Sequence, residues 1–407
     1  MNEEWRTSKL HSVADVRVSN VDKKFYATET PVRLCNYMDV YTNDYVTAAI
    51  DFMTASASKA QIERFGLMAG DVVITKDSET PDDIGVSAVI AEQISGLVCG
   101  YHLALIRPRD EAIDPVYLAK QLRSSGSIKY FAANASGSTR FGLSIGAIEN
   151  LEIPLAPRPE QTIIGEIFVT VDRAIEQTEA LIAKQQRIRT GLMQDLLTRG
   201  IDEHGNLRSE QTHEFKNSPL GRIPAAWEPT HIGNAASLQR GHDITESQLE
   251  DGPYPVISSS GVIGYHNEST SRGPNVVVGR KGTIGKVHYV ESDFWAHDTS
   301  LFVTNFFGNN PRFIYYLFIL YDLARFGTKS GSPSLNRNDV HPLWFGRPSP
   351  EEQGKIVKVL LECEALVKSH AHGLDKVKRL KTALMQDLLT GNRRVTALLN
   401  KSEQVDA

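Results

Sequence analysis

Apolar positions along this chain follow two rhythms, and each rhythm occurs twice. Short apolar runs bounded by Gly, Pro and Asp, at 72–75, 102–106, 276–278 and 300–304, predict strands. Helical spacing at about 116–124 and 313–323 adds a helix to each group, so the globular parts are mixed rather than all-β. Each group is followed by a long stretch in which apolar residues return every three or four positions. The first, predicted as one helix over about 160–197, carries Ile164, Phe168, Val171, Ile175 and Ile182, then Leu192 and Leu196, with Thr178 interrupting. The second carries Ile356, Leu360, Cys363, Val367, Leu374, Val377, Leu384 and Leu388, weakened in the middle by His370 and Gly373. Prolines just ahead of each stretch are start signals, and Gly200 and Gly391 are stop signals.

These seams are narrow and flanked by charge (Arg173, Glu176, Lys184, Arg187), so they call for one helical partner rather than burial on all sides. The other long helix is the natural partner. At 1.5 Å per residue each helix would be roughly 55–60 Å long, far more than a small domain needs.

The chain is one unit written twice. Leu192-Met193-Gln194-Asp195-Leu196-Leu197-Thr198 returns letter for letter as 384–390, and Glu160-Gln161 returns as Glu352-Gln353 at the same offset of 192. Thirteen of the 39 positions from 160 to 198 are identical to their counterparts without a gap. Upstream the offset drifts, as insertions in loops would make it. Ser136-Gly137-Ser138 answers Ser330-Gly331-Ser332, 71–76 resembles 275–280, Ile84-Gly85 answers Ile284-Gly285, and Trp5 answers Trp227. The expected architecture is two similar α+β domains separated by two long antiparallel coiled-coil helices, a pseudo-twofold internal repeat. Its expected boundaries are 1–156 and 216–348 for the domains, 157–215 for the central helix and linker, 349–392 for the distal helix and 393–407 for a tail.

Composition narrows the class. The 407 residues carry 44 basic and 49 acidic side chains, a net charge of −5, which excludes a uniformly basic nucleic-acid coat but not local basic surfaces. Three dispersed cysteines offer no disulfide framework and suit a reducing compartment. The first residues lack an apolar signal segment, and the longest apolar run, 313–321, falls far short of a membrane span of ~20 residues. The expectation is a cytoplasmic protein with no membrane association.

A search for catalytic motifs leaves little. The run 279–286 resembles a phosphate loop, but its glycine spacing is wrong and Val287 follows Lys286, so it reads as a tight turn. Asp77, Glu79, Asp82 and Asp83 read as a solvated loop rather than a magnesium site, and the histidines do not pair as metal ligands. No catalytic residue, no metal and no bound cofactor are expected.

Local charge is more informative. The stretch 115–148 holds Lys120, Arg123, Lys129 and Arg140 and no acids, and 323–338 holds Arg325, Lys329 and Arg337, again without acids. A third acid-free run contains Arg272, Arg280, Lys281 and Lys286. Two of these runs surround the repeated Ser-Gly-Ser, where small polar residues and exposed amides beside Lys and Arg suit a phosphate backbone. The candidate DNA contacts are Lys76, Ser78, Lys129, Ser136, Ser138, Thr139 and Arg140 in the first domain. In the second they are Arg280, Lys281, Thr283, Lys329, Ser330, Ser332 and Arg337.

The paired Glu-Gln, the helix endings Leu-Met-Gln-Asp-Leu-Leu-Thr, the entry Leu220-Gly221-Arg222-Ile223-Pro224-Ala225-Ala226-Trp227, and the runs 70–73 and 282–285 together resemble a known family. It is the specificity (S) subunit of type I restriction-modification enzymes, and the resemblance covers almost the whole chain. It implies two target-recognition domains, each reading one half of an asymmetric, interrupted site in double-stranded DNA. It implies helices that recruit two modification subunits, which carry S-adenosylmethionine and methylate adenine. Restriction subunits that use ATP and magnesium can join, two to a complex. The chain itself would then be non-catalytic. Two rival readings are an enzyme with degenerate motifs and a stand-alone DNA-binding regulator or coiled-coil scaffold without catalytic partners.

Overall fold

The structure, a computed structural model, describes residues 5–109, 112–327 and 333–402. Its contacts divide the chain into two compact units. One combines the chain up to Glu179 with the chain from Gly373 onward; the other is Ala180–His372. Each unit therefore takes the beginning of one long helix and the end of the other.

In the first unit a five-stranded sheet runs in the order Ala14–Val18, Leu103–Pro108, Val72–Thr75, Ser87–Ile90, Tyr45–Val46. A second sheet orders Met53–Ala57, Thr30–Cys35 and Leu97–Cys99, the last pair parallel. The central strands read as unbroken apolar runs because both faces are covered. Side chains alternate across a strand, so Val72, Ile74, Ala104 and Ile106 join one core while Val73, Leu103 and Leu105 join another.

The second unit repeats this plan with fewer strands. Ser237–Arg240, Ser300–Asn305, Asn275–Gly279 and Val287–Val290 form a four-stranded sheet. A three-stranded sheet orders Val262–His266, Tyr254–Ile257 and Trp295–Ala296, and again the last pair is parallel. Val276 and Val278 face one core and Val277 the other. Each domain is closed by pairing an early strand with its last: Arg6–Lys9 with Glu152–Leu155, and Glu228–His231, which follows the hairpin of Phe215–Ser218 and Gly221–Pro224, with Trp344–Arg347. The repeat read from letters is thus also a repeat of strand order and direction.

The long helices are Arg158–Thr198 and Pro350–Leu388, close to expectation. Gly200 and Gly391 end them with φ of 65° and 77°, the left-handed conformation that spares glycine a Cβ clash. Within the first unit Glu179 meets Lys378 and Asp172 meets Lys381, so the helices run antiparallel there. Arg189 and Glu364 pair in the second unit.

The seam residues divide into two kinds. Ile164, Phe168 and Leu388 are buried in the core of the first unit, with Leu384 packed against it; Leu196, Ile356 and Leu360 are buried in the second, with Leu192 beside them. Val171, Ile175, Ile182, Cys363, Val367, Leu374 and Val377 are half-buried, as a strip covered by one neighbour should be. Helix Ser125–Asn134 and a short tail helix, Thr396–Ser402, were not anticipated. No helix among the described residues is long and apolar enough to cross a membrane.

Candidate nucleic-acid interface

In both domains the basic residue after a central strand is tied by the backbone to a segment returning to it. In the first domain the Lys76 N–H donates to the His102 carbonyl at 3.0 Å, and the Lys76 carbonyl accepts from Leu143 at 2.8 Å. In the second, Arg280 donates to Thr299 at 2.8 Å and accepts from Leu335 at 2.8 Å. Gly85 donates to the Thr75 carbonyl at 2.9 Å and Gly285 to that of Gly279 at 2.8 Å, closing the intervening turn in both domains. Lys76 and Arg280 are therefore structural counterparts.

The returning loop of the first domain is a narrow hairpin. Ser136 and Gly142 exchange both backbone hydrogen bonds, at 3.0 and 2.9 Å, while Phe141 and Gly142 pair with Ser78 and Asp77. Gly137 has φ of 145°, and a Cβ there would lie 1.8 Å from the Arg140 carbonyl oxygen, so only glycine allows the turn. Ser136, Ser138, Thr139 and Arg140 are exposed on it, and Ser78 is half-buried beneath. Lys129 is exposed on Ser125–Asn134, which packs against the Pro81–Asp83 turn.

Lys76 is not a free cation. Its ammonium lies 2.8 Å from Asp77, whose carboxylate also meets His102 Nδ1 at 2.8 Å. Asp83 accepts from the Tyr41 hydroxyl at 3.0 Å. The acidic loop is thus partly occupied by its own neighbours, and no group of three potential metal ligands occurs among the described residues.

In the second domain an open groove of about 660 Å³ is lined by Gln239, Arg240, Arg280, Asn336 and Arg337. Arg240 pairs with Asp298 at 2.7 Å, and Arg280 Nη1 donates to the Asp298 carbonyl at 3.4 Å. Lys281 and Thr283 are exposed on the adjoining turn and Arg337 at the groove rim. Lys329, Ser330 and Ser332 lie outside the described residues. Gln239, Arg240 and Asn336 were not among the expected contacts: Gln239 and Arg240 form the exposed end of a strand whose Leu238 is buried, a distinction invisible before the strand's face is known.

The Glu-Gln pair has a defined structural role. Gln161 Oε1 accepts from the Asp114 N–H at 2.7 Å and its amide donates to the Ala156 carbonyl at 2.8 Å. Asp114 in turn caps helix Pro115–Leu122, accepting from Val116 and Tyr117. Gln353 repeats this with Asn310 at 2.8 Å and the Pro348 carbonyl at 3.1 Å, and Asn310 caps Pro311–Leu320. Each Gln thereby joins a long helix to the helix of its own domain.

The profile of the family described as "Type I restriction modification DNA specificity domain" matches residues 2–185 and again 224–379. A protein of Methanocaldococcus jannaschii carrying the name type I restriction enzyme MjaX specificity subunit is 23% identical over 363 residues, covering 82% of this chain and 81% of its own. The EcoprrI specificity subunit of Escherichia coli is 26% identical over 175 residues, 43% of this chain and 41% of its own. The crystal structure of a type I restriction-modification S subunit from M. genitalium superposes with a TM-score of 0.60 at 16% identity, covering 95% of this chain and 96% of that one.

Proposed function

Because the chain belongs to the type I restriction-modification DNA specificity family, as a non-catalytic specificity subunit that recognises DNA, we propose that its two globular domains each read one half of an interrupted, asymmetric site. The observation that carries this reading is the shared backbone anchoring of Lys76 to His102 and Leu143 and of Arg280 to Thr299 and Leu335. Two similar surfaces on one chain suit two half-sites a fixed distance apart. In the groove of the second domain, Arg280 and Arg337 have the donor geometry for guanine O6 and N7, and Gln239 and Asn336 the donor and acceptor pair for adenine N6 and N7. Lys281, Thr283, Lys129, Ser136, Ser138, Thr139 and Arg140 are exposed and suit phosphate contacts.

The long helices are proposed to seat two adenine-methyltransferase subunits, which bring S-adenosylmethionine. Two restriction subunits using ATP and magnesium can complete the assembly. With partners supplying the chemistry, a net charge of −5 is compatible with DNA binding, because the partners also line the DNA path.

The test is methylation mapping with the purified chain and an adenine methyltransferase subunit. Methyl transfer is expected only with both present. Replacing residues 1–156 by the matching domain of a relative should change one half-site and leave the other intact. Methylation by the chain alone, or simultaneous change of both half-sites, would overturn the proposal. DNA binding with no recruitment of any methyltransferase would instead favour a stand-alone regulator.

A further inference from the structure

Where the first domain meets its helices, charged groups are buried at a junction of three elements. Lys120, from helix Pro115–Leu122, has a side chain only 2% exposed and lies 2.6 Å from Asp172 on the central helix. Lys381, from the distal helix, lies 2.7 Å from the other oxygen of Asp172. Asp44 bridges both ammonium groups at 2.7 and 2.8 Å and also holds Arg123 at 2.7 Å, and Tyr45 donates its hydroxyl to Asp172 at 2.9 Å. The second unit places polar groups at the matching positions. Glu364 and Arg189 are the counterparts of Asp172 and Lys381 at the repeat offset of 192, and they form an ion pair. Tyr316 holds the same place in Pro311–Leu320 as Lys120 in Pro115–Leu122, but its buried hydroxyl has no hydrogen-bond partner.

We propose that the Lys120–Asp172–Lys381 junction and the Glu364–Arg189 pair are pins that fix the register of the paired helices, the first also fixing the seat of its domain on them. The half-buried aliphatics of the first unit's helices, Val171, Ile175, Leu374 and Val377, hold the helices together without naming a register, since exchanging one aliphatic for another costs little. A shift of seven residues would even preserve the seam. Lys381 cannot shift so cheaply, because a slip of seven residues would set Leu374 or Leu388 where its ammonium now meets Asp172 and Asp44. Buried polar groups that select one register at some loss of stability are the best-attested use of such pairs. Although burial pushes the Asp44 carboxyl up, Lys120, Arg123 and Lys381 together hold it well below the usual carboxylate range, in keeping with a satisfied cluster.

The test uses the full chain with Cys363→Ser, leaving only the buried Cys35 and Cys99. Glu179→Cys with Lys378→Cys reports the native register, because those side chains touch at 2.6 Å. Glu179→Cys with Ala371→Cys or with Met385→Cys reports a slip of one heptad either way. With the pin intact only the native pair should cross-link. Replacing the pin by apolar residues, Lys120→Met with Asp172→Leu and Lys381→Met, should keep the fold while slipped cross-links appear. Lys381→Met alone leaves Asp172 with Lys120 and should show a smaller amount of slipped product, whereas Lys381→Arg should restore the native pair alone. If the folded variants all cross-link only in the native register, the pin is refuted; should the triple variant not fold, Lys381→Met decides on the same criterion. The same variants assembled with a methyltransferase should tolerate a wider range of half-site gaps, a consequence that rests on the DNA reading above. Absence of gap preference in the unaltered assembly would refute that reading, while the cross-links still judge the pin.

Discussion

Glu160 and Arg394 lie 234 residues apart in the chain and form a bidentate ion pair, with Arg394 Nε donating to Oε2 at 2.8 Å and Nη2 to Oε1. Glu352 holds Arg208 in the same way, receives the Trp227 indole N–H at 3.1 Å and accepts from the Ile201 N–H at 3.1 Å. Each glutamate at a helix start thus ties down the segment that follows the end of the other helix. Its neighbouring glutamine ties the same helix start to its own domain. The two-residue motif is a two-way fastener, and this explains why an acid and an amide stand side by side in both copies.

Glu352→Ala should destabilise the second unit by about 3–5 kcal/mol, since it leaves a largely buried guanidinium and two N–H donors without an acceptor. Glu352→Gln should lose less, because its amide oxygen still accepts. Urea denaturation of the two variants side by side checks this; equal losses would mean that Glu352 acts through packing alone.

Gly137→Ala should weaken binding through the first half-site while leaving the domain folded. The added Cβ meets the Arg140 carbonyl, and holding a non-glycine residue in so sparsely populated a conformation costs about 1–3 kcal/mol. Competition binding with half-site variants and a thermal melt separate the two effects.

Lys281→Ala should weaken binding at the second half-site and reduce the salt slope by about 0.9, as loss of one phosphate contact does. Arg280→Ala should cost ~1–3 kcal/mol there if it reads a base edge. Lys76→Ala should matter less, because Asp77 already neutralises that ammonium. A titration series across salt concentrations ranks the three, and Lys76 as the most sensitive would contradict the pairing.

Neutral His341 Nε2 accepts the Leu238 N–H at 2.9 Å. Burial, and then the nearby Arg337, lower its pKa from the ordinary 6.5. The folded state therefore binds this proton more weakly than the unfolded one. Its contribution is complete above the ordinary value and is lost as pH falls from there toward the lower folded value. Stability measured against pH should decline in that window, and His341→Gln, which still accepts but does not titrate, should flatten the decline.

Inserting four residues at matched points in both long helices adds ~6 Å, at 1.5 Å per residue. Since DNA rises ~3.4 Å per base pair, the preferred gap should grow by about two base pairs. Methylation across a series of gaps reads this out, and a variant active only at the original gap would show that the helices do not set the spacing.

What the chain determined through local pattern is the part that periodicity and letter identity encode: the two long helices, their glycine stops, the short apolar strands and the repeat itself. These depend on neighbours within a few residues, or on copying. Partnership between distant residues is another matter. That Gln161 clasps Asp114, that Asp77 neutralises Lys76, and that Lys120 is driven into a junction with Asp172 and Lys381 depend on chain closure. A lysine in an acid-free run looks the same in sequence whether it faces solvent, as Lys129 does, or lies buried, as Lys120 does. Only the packing of the sheets and helices around it decides which charges remain free for a ligand and which are used to hold the fold.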